Sequence, residues 1–222
     1  MRIGFEFEKK GAIKYISHLD LQRAFLRAIR RSGLPVRLTG GFNPHYVVSF
    51  ASALALGIES SCECVEMETS ADVSPGAFLD RINRVLPPGL CAKRAVQIAD
   101  NAPKLAAAMR EAEYEMGFES IYQNDIANAV YDIMASKEII TKKVSKGAEK
   151  DINIRNMIIS IDIHNGYLQM RLAAAPSGSL RPEIVAGELQ KRAGCFKYNI
   201  IRSGLFTHSD GETVPLLSAF KE

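Results

Sequence analysis

The chain has 222 residues, 47% of them hydrophobic, with 28 Lys/Arg against 25 Asp/Glu, which suits two compact domains of about 100 residues each. A net charge of +3 is too small to mark a nucleic-acid protein by itself. The charged start Met1-Arg2-Ile3-Gly4-Phe5-Glu6 has no apolar centre and no run of about 20 apolar residues follows it, so a cytoplasmic protein without membrane contact is expected.

Arg2 to Glu8 alternates Ile3, Phe5 and Phe7 with polar residues and predicts a half-buried strand. Lys9-Lys10-Gly11 turns the chain. Ser17 is a helix N-cap with Asp20 three residues on, and the helix runs to about Ser32, where Gly33 and Pro35 stop it. At 100° per residue, Leu21, Phe25, Ala28 and Ile29 share one face, and Arg23, Arg27, Arg30 and Arg31 share the opposite one. A strand begins at Pro35 to Leu38, is interrupted by Gly40-Gly41-Phe42-Asn43-Pro44-His45, and resumes at Tyr46 to Phe50; the interruption reads as a shaped loop or bulge rather than a tight hairpin. Cys62 to Glu68 is a strand of uncertain facing. Ser74-Pro75 starts a helix that Pro87-Pro88-Gly89 ends, and Leu90 to Ile98 is the last strand of the set.

Ala99 to Lys104 reads as a linker, after which the order recurs. Glu111 to Glu119 is a strand, Asn124 to Ser136 a helix, and Ile139 to Val144 a strand. Asn165-Gly166 is a hairpin turn between Ser160–His164 and Tyr167–Ala173. Pro182 opens a helix and Phe196 to Thr207 is a final strand. Asp151 to Ile158 is surplus, as a short helix or a further hairpin limb. The fold class is therefore α+β, two tandem ferredoxin-like (βαββαβ) units at 1–98 and 105–207 with a tail at 208–222.

Residues 1–98 carry a net charge of +4 and the remainder −1, so the positive balance sits with the first unit. The arginine face suits phosphate oxygens, and Phe42 and Tyr46 suit stacking on unpaired bases, which makes RNA contact the sharper reading and a solvated face the plainer one. Lys142 and Lys143, with Lys146 and Lys150, could extend such a surface. If their segments converge, Tyr15, His18, Asn43 and His45 form a polar pocket that binds a ligand or shuttles a proton; otherwise His18 is an exposed first-turn residue and Asn43-Pro44-His45 fixes a turn.

The four cysteines, Cys62, Cys64, Cys91 and Cys195, include no C-x-x-C pair, and the C-x-C turns two thiols to one strand face. Buried reduced thiols are expected, with no metal and no cofactor. Phosphate-loop, H-E-x-x-H, G-x-S-x-G and dinucleotide motifs are absent. So is C-x-x-x-C-x-x-C, which excludes radical SAM chemistry by this chain itself.

The string Gly11-x-x-x-Tyr15-Ile16-Ser17-His18-Leu19-Asp20, with Arg23, Ala28, Arg31, Gly33-Leu34-Pro35 and Gly41-Phe42-Asn43-Pro44-His45, resembles the radical SAM-linked proteins, a bacterial family of unknown function (DUF2344). The likeness continues through Ser49-Phe50, Leu54-Ala55-Leu56-Gly57 and Leu86-Pro87-Pro88-Gly89, and more loosely through Asp151-Ile152-x-Ile154-Arg155 and Leu180-Arg181-Pro182. The family pattern has a second proline where this chain has Tyr46. The resemblance implies association with a radical SAM protein and no established reaction. Together these readings predict a non-catalytic accessory protein that binds tRNA or rRNA, the alternatives being an RNA-directed enzyme using His18 or His45 as acid-base and a protein-protein adaptor.

Overall fold

The computed structural model describes residues 1–145 and 148–220, without the side chains of 143–148. The chain is α+β and divides into two compact units, one of Met1–Arg110 with Arg202–Glu222 and the other of Glu111–Ile201. In the first unit β1 (Arg2–Lys9), α1 (His18–Ser32), β2 (Val48–Phe50), β3 (Glu59–Glu68), α2 (Pro75–Asn83) and β4 (Leu90–Ile98) follow one another. The strand order is β2-β3-β1-β4, and the β1–β3, β1–β4 and β2–β3 pairings are all antiparallel. A short helix, α3 (Leu105–Ala108), follows the linker.

Local signals explain the helices. Ser17 accepts from the Asp20 amide to cap α1, and Gly33 ends it at φ 63°, a left-handed conformation that glycine adopts without a Cβ penalty. The Arg81 guanidinium then donates to the Ser32 and Gly33 carbonyls, while Arg31 donates to the Val85 carbonyl at 2.7 Å. Ser74 caps α2 and Pro75 occupies its first turn. Both helices cover one face of the sheet over a phenylalanine core, in which Phe7 and Phe25 meet edge to face at 4.7 Å and Phe5 lies 5.0 Å from Phe78.

β1 was expected to be half-buried, and its first four residues are instead buried on both faces. A Cβ on Gly4 would lie 2.6 Å from Ile98 Cδ1 and 2.8 Å from Leu217 Cδ1, so the second face is covered by the returning C-terminus. On that face Arg2 pairs with buried Glu66, and its guanidinium also binds the carbonyls of Ala99, Ala102 and Pro103. Glu66 in turn accepts from the Leu105 amide at 3.1 Å. The expected linker is thus strapped down by one buried ion pair. Nor is residue 36–46 simply an interrupted strand: the Val36–Thr69 and Leu38–Tyr46 bridges and the Thr39 amide to His45 carbonyl bond (2.8 Å) fold it into a hairpin with Gly40–Pro44 at its tip.

The second unit opens with β5 (Glu111–Phe118) and α4 (Gln123–Ala135), then a separate hairpin of β6 (Ile140–Ser145) and β7 (Ala148–Asn153). The segment left over in the sequence is therefore a strand and one 3-10 turn, Arg155–Met157. β8 (Ile158–His164) and β9 (Tyr167–Ala175) form the hairpin marked by Asn165-Gly166, with β10 (Gly178–Ser179) also on β9 and α5 (Pro182–Ala193) following. β9 pairs with β5 antiparallel from Glu111↔Ala173 to Gly117↔Tyr167.

β11 (Tyr198–Ser209) begins in the second unit and, from Arg202, belongs to the first, where it lies beside β3 and pairs with β12 (Glu212–Pro215). The residues expected as a tail form β12 and a 3-10 turn, Leu216–Phe220, that buries Leu216 and Leu217. Unit membership thus changes at 110 and again at 202, rather than near 98 and 207.

Candidate functional site

The motif string builds the mouth of a polar site. A 3-10 turn, Gly11–Tyr15, is held against the loop before β3 by the Gly57 amide to Lys14 carbonyl bond (2.9 Å) and the Lys14–Glu59 ion pair (3.1 Å). Tyr15, Leu19 and Leu56 are exposed there. His18 points inward, because at helical spacing it shares the face of Leu21, Phe25 and Ile29. Its ring meets Phe50 edge-on at 5.2 Å, and its Nε2 is 3.0 Å from Gln22 Nε2.

Behind His18 lies a buried cluster of charge. The regular β1–β3 register sets Phe7 opposite Glu63 on the helix-covered face, and the bulge that follows sets Lys9 opposite Ser60. Glu63 takes two hydrogen bonds from Arg202, one from Nε at 2.7 Å, with both side chains 3% exposed. Lys9 is 1% exposed, and its ammonium reaches the Lys14 carbonyl at 3.4 Å. Continuing the β2–β3 register by two pairs sets Ser52 opposite Glu63, and the buried Ser52 hydroxyl has no hydrogen-bond partner among the described residues.

Two basic side chains share one carboxylate in this cluster. Burial pushes the Lys9 ammonium below its ordinary 10.5, with Glu63 acting against the shift and Arg202 with it. Burial likewise holds the His18 imidazole below 6.5, opposed by Glu63 and reinforced by Lys9 and Arg202. A neutral imidazole beside an excess of buried cation can exchange hydrogen bonds with a ligand, and the cation excess favours an anionic group there.

The four residues expected to form one pocket occupy two places. Tyr15 and His18 belong to the mouth just described, whereas Asn43 and His45 sit exposed on the hairpin. His45 Nδ1 contacts Thr39 Oγ1 at 3.1 Å and the Asn43 carbonyl at 3.4 Å, whereas the His18 ring meets Gln22 and Phe50. Lys9, Ser52, Glu63 and Arg202 were missed by sequence reasoning. The available signal was parity: Lys9 continues the odd-numbered face of Phe5 and Phe7, and Glu63 that of Val65 and Met67.

The arginine face is real but unevenly free. Arg23 is exposed and pairs with Asp20 at 2.9 Å, whose carboxyl is drawn below its usual range first by the Ser17 hydroxyl and then by Arg23. Arg31 is spent on Val85. Arg27 and Arg30 are exposed and in no ion pair among the described residues, though the Arg27 charge also helps to lower the Asp20 carboxyl. Phe42 is wholly exposed at the hairpin tip, while Tyr46 packs against the core. In the second unit Lys142 is exposed and pairs with Glu149 at 2.9 Å; the Lys143 side chain, Lys146 and Gly147 lie outside the described residues.

The model of a family described as uncharacterised proteins conserved in bacteria, DUF2344, matches residues 2–182. The chain belongs to this family. No curated protein matches it. Lys9, His18, Ser52 and Glu63 of this DUF2344 protein fall within the matched span, and Arg202 beyond it. No helix among the described residues is long and apolar enough to cross a membrane.

The cysteines of the DUF2344 protein differ from expectation. All four are free, yet only Cys64 is buried; Cys62 and Cys91 are half-buried and Cys195 is exposed. Cys62 and Cys64 do share a strand face, the one turned away from α1 and α2, and Glu6 stands opposite Cys64 in the β1–β3 register. The Cys62 thiol is 3.6 Å from Glu6 Oε1. A hydrogen bond with Cys62, then burial, then the charge of Glu6 and Glu63 push the Cys64 thiol well above its ordinary value.

Proposed function

We propose that this DUF2344 protein is a non-catalytic, cytoplasmic accessory protein that binds an RNA for a radical SAM partner, and that both of its units are variants of the ferredoxin-like plan. The fold reading is supported by strand order: β2-β3-β1-β4 in the first unit and β8-β9-β5, with the start of β11 beside β5, in the second follow one antiparallel scheme. The link to a radical SAM enzyme rests on the resemblance of the motif string from Gly11 to His45. RNA contact rests on the exposed guanidinium groups of Arg27 and Arg30, set one helical turn apart on the solvent face of α1 and in no ion pair among the described residues, Arg27 acting on Asp20 only through its charge. Planar guanidinium forks hold phosphate oxygens in pairs, and the bare Phe42 ring offers a stacking surface.

Filter binding of total tRNA and of rRNA fragments across a salt series tests the reading. Arg27→Glu with Arg30→Glu is expected to abolish binding and His18→Ala to leave it intact; RNA binding without salt dependence, or unchanged in the double variant, refutes it.

One observation favours a second reading, an RNA-directed enzyme using His18. Burial holds its imidazole below the ordinary 6.5 beside Lys9, Glu63 and Arg202, which leaves it in the neutral form from which a general base acts. RNA cleavage or modification that disappears in His18→Ala while binding persists would select it.

A further inference from the structure

We propose that Glu6, Cys62 and Cys64 form a metal site for zinc or a similarly thiophilic divalent cation. The two thiol sulfurs and a carboxylate oxygen all lie within 4.8 Å of one another. Cys64 pairs with Glu6 in the β1–β3 ladder, Cys62 lies at the bulge that follows it, and Glu6 borders the register shift of β1 against β4, so the three come from a point where both ladders depart from regular pairing. Tetrahedral zinc, with Zn–S of about 2.3 Å and Zn–O of about 2.0–2.2 Å, needs donors roughly 3.5–3.8 Å apart. Small side-chain rotations close that difference. The Cys62 sulfur and Glu6 oxygen, at 3.6 Å, are already at the required spacing.

Charge around the site points the same way. Every other acid on β1 and β3 has a cationic side chain beside it: Glu8 has Lys10 and Lys93, Glu59 has Lys14, Glu63 has Arg202, Glu66 has Arg2, and Glu68 has Arg37 and Lys104. Glu6 alone has none among the described residues. Arg94, its register partner on β4, donates instead to Ser218 Oγ at 2.9 Å. The one carboxylate without a counter-cation is therefore the one beside two thiols, where a divalent ion would supply the missing charge.

A disulfide is a poorer use of the pair. Residues i and i+2 of an extended strand stand about 6.6–6.8 Å apart at Cα, the upper limit of disulfide geometry. Metal binding would release the two thiol protons, leaving two thiolates, one carboxylate and one open position for water or a partner's ligand.

The test is titration of the reduced full-length protein with Co(II), reading the thiolate-to-cobalt charge-transfer absorption, and then displacement by Zn(II). One equivalent is expected to bind with that absorption. Cys62→Ser is expected to cut its intensity, and Glu6→Gln to weaken affinity by roughly tenfold or more, since even outer-shell groups carry tenfold effects. Cys91→Ser with Cys195→Ser should change nothing. Because Cys64 is buried and its replacement could unfold the strand, the half-exposed positions Cys62 and Glu6 carry the result, with folding of each variant checked by circular dichroism. Absence of the charge-transfer band in the wild type, or its persistence at full strength and affinity in both Cys62→Ser and Glu6→Gln, would overturn the site.

Discussion

Replacing Glu63 by glutamine tests the buried cluster with almost no change of shape. The amide keeps the volume and hydrogen-bonding reach of the carboxylate, so no cavity opens, and what is lost is the negative charge that Arg202 and Lys9 share. Breaking a buried ion pair by neutralising one partner costs about 3–5 kcal/mol, because the surviving charge stays desolvated. For a chain of this size each kcal/mol shifts Tm by about 2–4 °C, so the first unit should melt about 6–20 °C lower. The assay is urea and thermal unfolding of Glu63→Gln, Arg202→Leu and the apolar double variant Glu63→Leu/Arg202→Leu. Removing both charges leaves Lys9 alone desolvated, where Glu63→Gln leaves both Lys9 and Arg202, so the double variant should lose less than Glu63→Gln. The carboxylate also raises the His18 pKa, and imidazole resonances of Glu63→Gln should therefore titrate at still lower pH. A Glu63→Gln loss below about 1 kcal/mol, or a double variant as damaged as the single one, would show that the buried pair is not what holds this end of the core.

The pH response follows from the same imidazole. His18 titrates below 6.5 in the folded chain, so between its folded and unfolded pKa values the unfolded state binds more protons and stability rises with pH. Urea midpoints should fall as the pH drops through that window, and His18→Gln should flatten the fall. Phe25→Ala removes a fully buried ring in contact with Phe5, Phe7 and Phe50; a loss of about 3–5 kcal/mol is expected by denaturant titration, and less than 2 would mean the core refills. Gly33→Ala imposes a Cβ at φ 63° with the Arg81 guanidinium 3.1 Å away, and should cost about 1 kcal/mol or more where Gly76→Ala, in open space, costs nothing.

Much of the fold was legible because its signals are local. Ser17 with Gly33, Ser74 with Pro75, and Asn165-Gly166 each fix an element end through a bond or a backbone angle decided within a few residues. What stayed hidden depends on distant partners. Nothing near Glu63 announces Arg202, 139 residues away, and the second face of β1 is buried by residues after 209. Arginine periodicity showed which side of α1 faces solvent, but it could not show that Arg31 would be consumed by Val85, nor that Tyr46 would turn into the core. The hairpin at 36–46 escaped because two glycines and Asn-Pro suggest a broken strand equally well.

The route of β11 reverses the order in which the units become complete. Residues 111–201 are contiguous, so that unit possesses its whole sequence while the polypeptide is still being made. Residues 1–110 leave the ribosome first, yet must wait for Arg202 and the strand and turn that follow it. Until then Lys9 and Glu63 lack their guanidinium partner, and Gly4 lies bare of Leu217. The unit whose synthesis begins earlier is the later of the two to be finished, and a nonsense mutation anywhere before the Arg202 codon would strand it incomplete.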